Sequence, residues 1–215
     1  MKTKPNRVLV TGAGRSGTSA LMKFFHQYID SDLLSSHHKH LLRGDHGSWE
    51  ANSCLMWNAK ANAGLEYVID ETSSQESVDK SPYIFKDPRL CISLKKIMQN
   101  NMLNVDHLFI CIRDYRKSAQ SRKNKNLFFT EWKSLRCKDE RKSMLRNQIE
   151  FNERAIGRLM ETVAEYDISH TILSFPRFIR DKEYFFNKLK NTPVAINRED
   201  LDSAFSVFDE KQVNY

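Results

Sequence analysis

Arg7-Val8-Leu9-Val10-Thr11-Gly12-Ala13-Gly14-Arg15-Ser16-Gly17-Thr18-Ser19 runs from an apolar stretch of strand length into a glycine-rich turn. A helical stretch follows, from about residue 17 to residue 28, with Leu21, Phe24, Phe25 and Tyr28 at helical spacing. Strand, glycine turn and helix in that order form an anion cradle. Glycines let the backbone curl until several N–H groups converge on one point, and the helix N-terminus adds a favourable dipole. Thr18 and Ser19 add hydroxyl donors.

Working outward, further strand and helix signals alternate. Residues 33–36 read as a short strand leading to His37-His38-Lys39-His40, and 49–65 as a helix anchored by Trp49, Leu55, Met56 and Trp57. A polar loop is expected over about 68–82, then a brief strand at 83–86 ending in Lys86-Asp87-Pro88-Arg89, and a helix from 88 to about 98. His107–Ile112 reads as a second clear strand, closing at Arg113-Asp114, with a helix from near Tyr115. A long helix is expected at about 139–166, a strand at 170–173, and a last helix marked by Phe185 and Leu189.

Strands alternating with helices imply a single α/β domain over residues 1–215, with a central parallel sheet flanked by helices. In such sheets ligands bind beyond the carboxyl ends of the strands. The residues after Thr11, Phe85 and Ile112 all fall there.

Composition narrows the partners. The 215 residues include 40% hydrophobic and 11% aromatic, enough for one sizeable core. Net charge is +7, which favours anionic ligands. Cys54, Cys91, Cys111 and Cys137 show no C-x-x-C spacing, so no zinc ribbon or redox pair is indicated. Cys111 reads as a core thiol. The opening residues hold no long apolar run and no segment approaches a membrane span, so a cytoplasmic location is expected.

Two glycine motifs compete for the loop. Gly12, Gly17 and Ser19 fit the phosphate-loop pattern G-x-x-x-x-G-K-[ST], but Thr18 holds the lysine position. Without that lysine the β and γ phosphates of ATP lose their main counter-charge, which disfavours a kinase. Gly12, Gly14 and Gly17 also fit G-x-G-x-x-G, yet Asp32 precedes the expected second strand instead of ending it.

Arg15-Ser16-Gly17-Thr18-Ser19 resembles the 5′-phosphosulfate loop of the sulfotransferase family, and Arg113 with Ser121 is similar to that family's 3′-phosphate site. Lys86-Asp87-Pro88-Arg89-Leu90 and Ser174-Phe175-Pro176-Arg177-Phe178, followed by Asp181, look like segments of bacterial members. The glycine-rich C-terminal segment of cytosolic members has no counterpart.

The resemblance implies a P-loop NTPase-like sulfotransferase fold and transfer of a sulfuryl group from 3′-phosphoadenosine 5′-phosphosulfate (PAPS) to an acceptor hydroxyl, the expected acceptor being a carbohydrate or small metabolite. Donor-binding residues would be Gly14, Arg15, Ser16, Gly17, Thr18, Ser19, Arg113 and Ser121. Arg15 would stabilise the leaving group and Lys86 the sulfuryl oxygens. His37 and His38 are equivalent candidates for the general base, with Asp87 behind them. These cations balance the donor, so no metal is required, and Lys39 and Arg43 oppose reading His37, His38, His40 and His46 as metal ligands.

The basic stretch at about 122–148, with Phe128, Phe129 and Trp132, reads either as a lid over the acceptor or as ordinary amphipathic helix. Two other functions stay open: a degenerate P-loop kinase of small molecules, and a non-enzymatic basic binding module. No recognised nucleic-acid-binding motif supports the latter as a partner of nucleic acid.

Overall fold

A computed structural model describes residues 4–28, 55–57, 65–67, 69, 71–124 and 144–208. Within them a six-stranded sheet has the order β2-β3-β4-β1-β5-β6. The strands are β1 (Asn6–Thr11), β2 (Leu55–Trp57), β3 (Leu65–Tyr67), β4 (Ile84–Lys86), β5 (Asn104–Ile112) and β6 (His170–Ser174). β2 runs antiparallel to β3, and every other neighbouring pair is parallel. The helices are α1 (Thr18–Tyr28), α2 (Gln75–Asp79), α3 (Leu90–Gln99), α4 (Tyr115–Asn124), α5 (Met144–Glu165), α6 (Lys182–Leu189) and α7 (Arg198–Ala204).

Side-chain alternation builds three layers. Leu9, Phe85, Leu108 and Ile110 enter one core with Leu94 and Ile97 of α3. Phe151, Ala155, Ile156, Leu159 and Val163 join it as a stripe along α5. Their neighbours Val8, Val10, Ile84, Phe109 and Cys111 enter a second core, with Leu21, Phe24 and Phe25 of α1 and Phe185 and Leu189 of α6. A strand buried on both faces reads as a continuous apolar run, which is why β1 and β5 stand out in the sequence.

β1 lies between β4 and β5, so the chain passes to one side of it for β3 and β4 and to the other for β5 and β6. The loop after β1 therefore sits where the strand order reverses. Open α/β sheets hold their ligands at that crevice.

The structure corrects several expectations. The helix expected over 49–65 is wrong in its described part: Leu55–Trp57 and Leu65–Tyr67 are paired strands, with Met56 opposite Glu66. Three adjacent apolar residues suit either state, and here pairing at the sheet edge decides. The polar stretch 68–82 contains the short helix α2, capped by Ser74, whose hydroxyl accepts from the Ser77 N–H. α7, capped by Asn197, was not foreseen. In the basic stretch, Arg122 is buried at the end of α4 rather than solvated. Residues 125–143, with Phe128, Phe129 and Trp132, lie outside the described residues, as do the strand expected at 33–36 and residues 1–3 and 209–215.

Candidate active site

The loop after β1 bends through three residues of positive φ: Gly12 at 155°, Arg15 at 69° and Gly17 at 97°. Each glycine is fixed by space as well as by backbone. A Cβ on Gly12 would lie 2.2 Å from the Cys111 carbonyl oxygen, and one on Gly17 2.4 Å from the Phe175 ring. Arg15 adopts the left-handed region despite carrying a side chain, at a cost of about 1 kcal/mol. Such strain persists only where the surroundings hold it.

Those surroundings come from β5 and α4. The Ser118 hydroxyl donates to the Gly14 carbonyl at 2.7 Å, Arg113 Nη1 donates to the Arg15 carbonyl at 3.4 Å, and Arg15 Nε donates to Ser121 Oγ at 3.2 Å. Arg113 also lies over the Phe175 ring, 5.2 Å from its centroid. The two elements expected to hold separate phosphates are thus in direct contact. Arg15, Arg113 and Ser121, spread over 106 positions, meet at one place.

On the other side of the loop, Lys86 ends β4 almost fully buried, and its ammonium donates to Ser19 Oγ at 2.8 Å. Ser19 is in the first turn of α1, so this cation is set at a helix N-terminus. Thr18 is buried beside it. Ser16 is 2% exposed, and its hydroxyl has no hydrogen-bond partner among the described residues. A buried hydroxyl without a partner costs roughly 1–3 kcal/mol, which makes Ser16 a candidate contact for a ligand in this turn.

Asp87 does not suit the role of general base. It is fully buried, its Oδ1 accepts from the Arg89 N–H at 2.8 Å and from Arg89 Nε at 3.3 Å, and its carbonyl accepts from the Thr11 hydroxyl. It fastens the end of β4 to β1 and the start of α3. Asp114, next to Arg113, accepts from the Lys117 N–H and so caps α4. His37 and His38 lie outside the described residues.

Like charges are crowded here. Burial lowers the Arg113 pKa, and Arg15 lowers it further, against a smaller opposing effect of Asp114. Burial also brings Arg122 down to about 10; Cys91 opposes that shift and Arg15 adds to it. Arg122 is pinned by Asn152 Oδ1 and by the Phe151 ring, 5.6 Å away. Guanidinium groups brought this close each disfavour the other's charge.

Ser118 and Phe175 were not among the expected site residues. Ser118 precedes Ser121 by three positions on the same helix face, which is the signal that a sequence reading could have used. Phe175 lies within a segment whose resemblance is noted above, but its contact with Gly17 follows only from β6 lying beside β5.

Solved structures with this arrangement of strands and helices include a sulfotransferase domain from the curacin biosynthetic pathway. Its TM-score is 0.53 at 11% identity, and the match covers 93% of this chain and 77% of that one. Sulfotransferase STF9 from Mycobacterium avium matches with a TM-score of 0.56 at 12% identity, covering 95% of this chain and 67% of its own.

The chain has the sulfotransferase fold.

Neither a protein-family model nor a curated protein matches the sequence. At such low identity the sulfotransferase fold is what the two chains share, and the site must be argued from its own residues. Among the described residues, no helix is long and apolar enough to cross a membrane, and no three His, Cys, Asp or Glu side chains gather as metal ligands.

Proposed function

We propose that the protein transfers a sulfuryl group from PAPS to an acceptor hydroxyl of a carbohydrate or small metabolite. The observation that supports this reading is the contact between the two elements assigned to the donor's two anionic groups. Arg15, in the loop after β1, bonds Ser121, in the second turn of α4, and Arg113, just after β5. A nucleotide with phosphate at both its 3′ and 5′ positions has two anionic groups for two such elements. The sulfotransferase fold and the threonine at position 18 favour this over a triphosphate.

In this reading Gly14, Ser16, Gly17, Thr18 and Ser19 hold the 5′ group through backbone N–H groups and hydroxyls. Arg113 and Ser121 hold the 3′-phosphate. Arg15 faces the leaving oxygen and Lys86 the sulfuryl oxygens, so charge building up in the transition state meets cations already in place. Arg15, Lys86 and Arg113 would offset most of the donor's charge in place of a metal ion. His37 or His38 takes the acceptor proton. A cytoplasmic enzyme, and residues 122–148 as an acceptor segment, belong to the same proposal.

Thermal unfolding with adenosine 3′,5′-bisphosphate in the presence of a chelator tests it. At a hundredfold excess over Kd, binding contributes about 2.7 kcal/mol, a rise in Tm of about 5–10 °C. Arg113→Ala should abolish most of that rise. A rise only with ATP and magnesium would support a kinase instead. A rise that Arg113→Ala barely changes would indicate a diffuse basic binding surface.

A further inference from the structure

Two residues of α4 meet the loop: Ser118 on the Gly14 carbonyl and Ser121 on Arg15 Nε. Their spacing of three places them on one face of the helix. The loop and α4 are therefore fastened together at the positions where the proposed donor's two anionic groups would sit.

Ser121 has two tasks that do not compete. A hydroxyl has one donor and two acceptor sites. The Arg15 Nε–H occupies one acceptor site, and the O–H is suited to donate to an anion. Donation to a phosphate oxygen makes the same oxygen a better acceptor, because linked hydrogen bonds polarise one another. The Arg15 bond would then tighten when the second site fills. That bond also fixes the plane of a guanidinium whose backbone is held in the left-handed region and whose neighbours Arg113 and Arg122 repel it.

Resting on the function proposed above, we infer that Ser121 is a positioning residue for Arg15 as well as a ligand of the 3′-phosphate, so that each anion site strengthens the other. The consequence is selectivity. A nucleotide with both phosphates gains more than the two separate gains combined, and one lacking the 3′-phosphate still depends on Ser121.

Calorimetric titration with adenosine 5′-monophosphate separates this from a simple 3′-phosphate contact, since that nucleotide gives Ser121 no 3′-phosphate to hold. Ser121→Ala should weaken its binding by about three- to tenfold, since the lost bond acts on the ligand only through Arg15. Ser121→Thr keeps the hydroxyl and should restore the affinity. Arg15→Lys removes the Nε–H, and in that background Ser121→Ala should change nothing further. Alanine suits a helix, so Ser121→Ala should not lower Tm.

Unchanged monophosphate binding in Ser121→Ala, with weaker bisphosphate binding, would overturn the inference and leave the proposed function standing. Full additivity of the Arg15→Lys and Ser121→Ala losses would do the same. Failure of the unaltered protein to bind the bisphosphate would overturn both.

Discussion

The two ends of the sheet bury cations in opposite ways. At the amino end, Arg7 of β1 donates to Ser81 Oγ at 2.7 Å and to the carbonyls of Asn6, Val78 and Asp79. Two of those carbonyls belong to the last turn of α2, where the helix dipole favours a cation. At the carboxyl end, Arg15, Arg113 and Lys86 meet serine hydroxyls, a carbonyl and, for the arginines, one another's charge. One end is arranged for stability. The other gathers cations around the loop proposed to hold an anion, an arrangement that serves function before stability.

That contrast can be broken from either side. The largest effect is expected at Lys86, a buried ammonium on the proposed path of the sulfuryl group. Lys86→Met keeps the shape and removes the charge; sulfuryl transfer should fall by about 10²–10³-fold, while Tm stays level or rises. A transfer assay beside a melting curve checks both. A lowered Tm would mean that Lys86 stabilises the fold as Arg7 does.

Arg7→Met should behave the other way. It leaves buried carbonyls and the Ser81 hydroxyl short of a donor, and unfolding stability should drop by about 2–3 kcal/mol. Bisphosphate affinity, measured where the variant remains folded, should be unchanged. Urea unfolding and calorimetry decide the matter, and a weakened affinity would show that the two ends are coupled.

The smallest effect is a pH dependence at the amino half of β5. His107 is buried between Ser169 Oγ and Thr171 Oγ1, each 2.9 Å from a ring nitrogen, and packs edge-on to Phe109. Burial, with a lesser contribution from His170, lowers its pKa to about 4. The unfolded chain titrates near the ordinary value, so between about pH 6.5 and 4 it binds the proton that the folded state refuses. Stability is then full above that window and falls as pH falls through it, by roughly 1–3 kcal/mol from this group. His107→Gln should flatten that part of the stability profile between pH 7 and 5. An unaltered slope would assign it to other groups.

How much of this was legible in the sequence follows from how local each cause is. β1, α1 and β5 declare themselves because runs such as Arg7–Thr11 and His107–Ile112 carry their apolar pattern within a few residues. β2 and β3 do not, since strands of three residues owe their state to each other and to β4. At the site, Arg15, Lys86 and Arg113 were identifiable as residue types at or just beyond strand ends, and Ser121 by its spacing from Arg113. Their mutual bonds were not, because a hydrogen bond across 106 positions depends on the order of strands in the sheet. Arg122 misled for a related reason. It belongs to a basic run, and only the packing of α4 on α5 buries it against Phe151 and Asn152.

The Phe175 ring, pressed against Gly17 and lying under Arg113, has a consequence for how the molecule is made. Every charged residue discussed at the site has been synthesised by the time Ser121 leaves the ribosome. The floor on which the loop rests arrives some fifty residues later, and it is placed only when β6 zips onto β5 through the Phe175 N–H and the Ile112 carbonyl. A chain stopped after α5 would carry all the cations and still lack the surface that shapes their loop. Shaping of the proposed anion loop thus depends on a long-range pairing and on a phenylalanine far along the chain from Gly17.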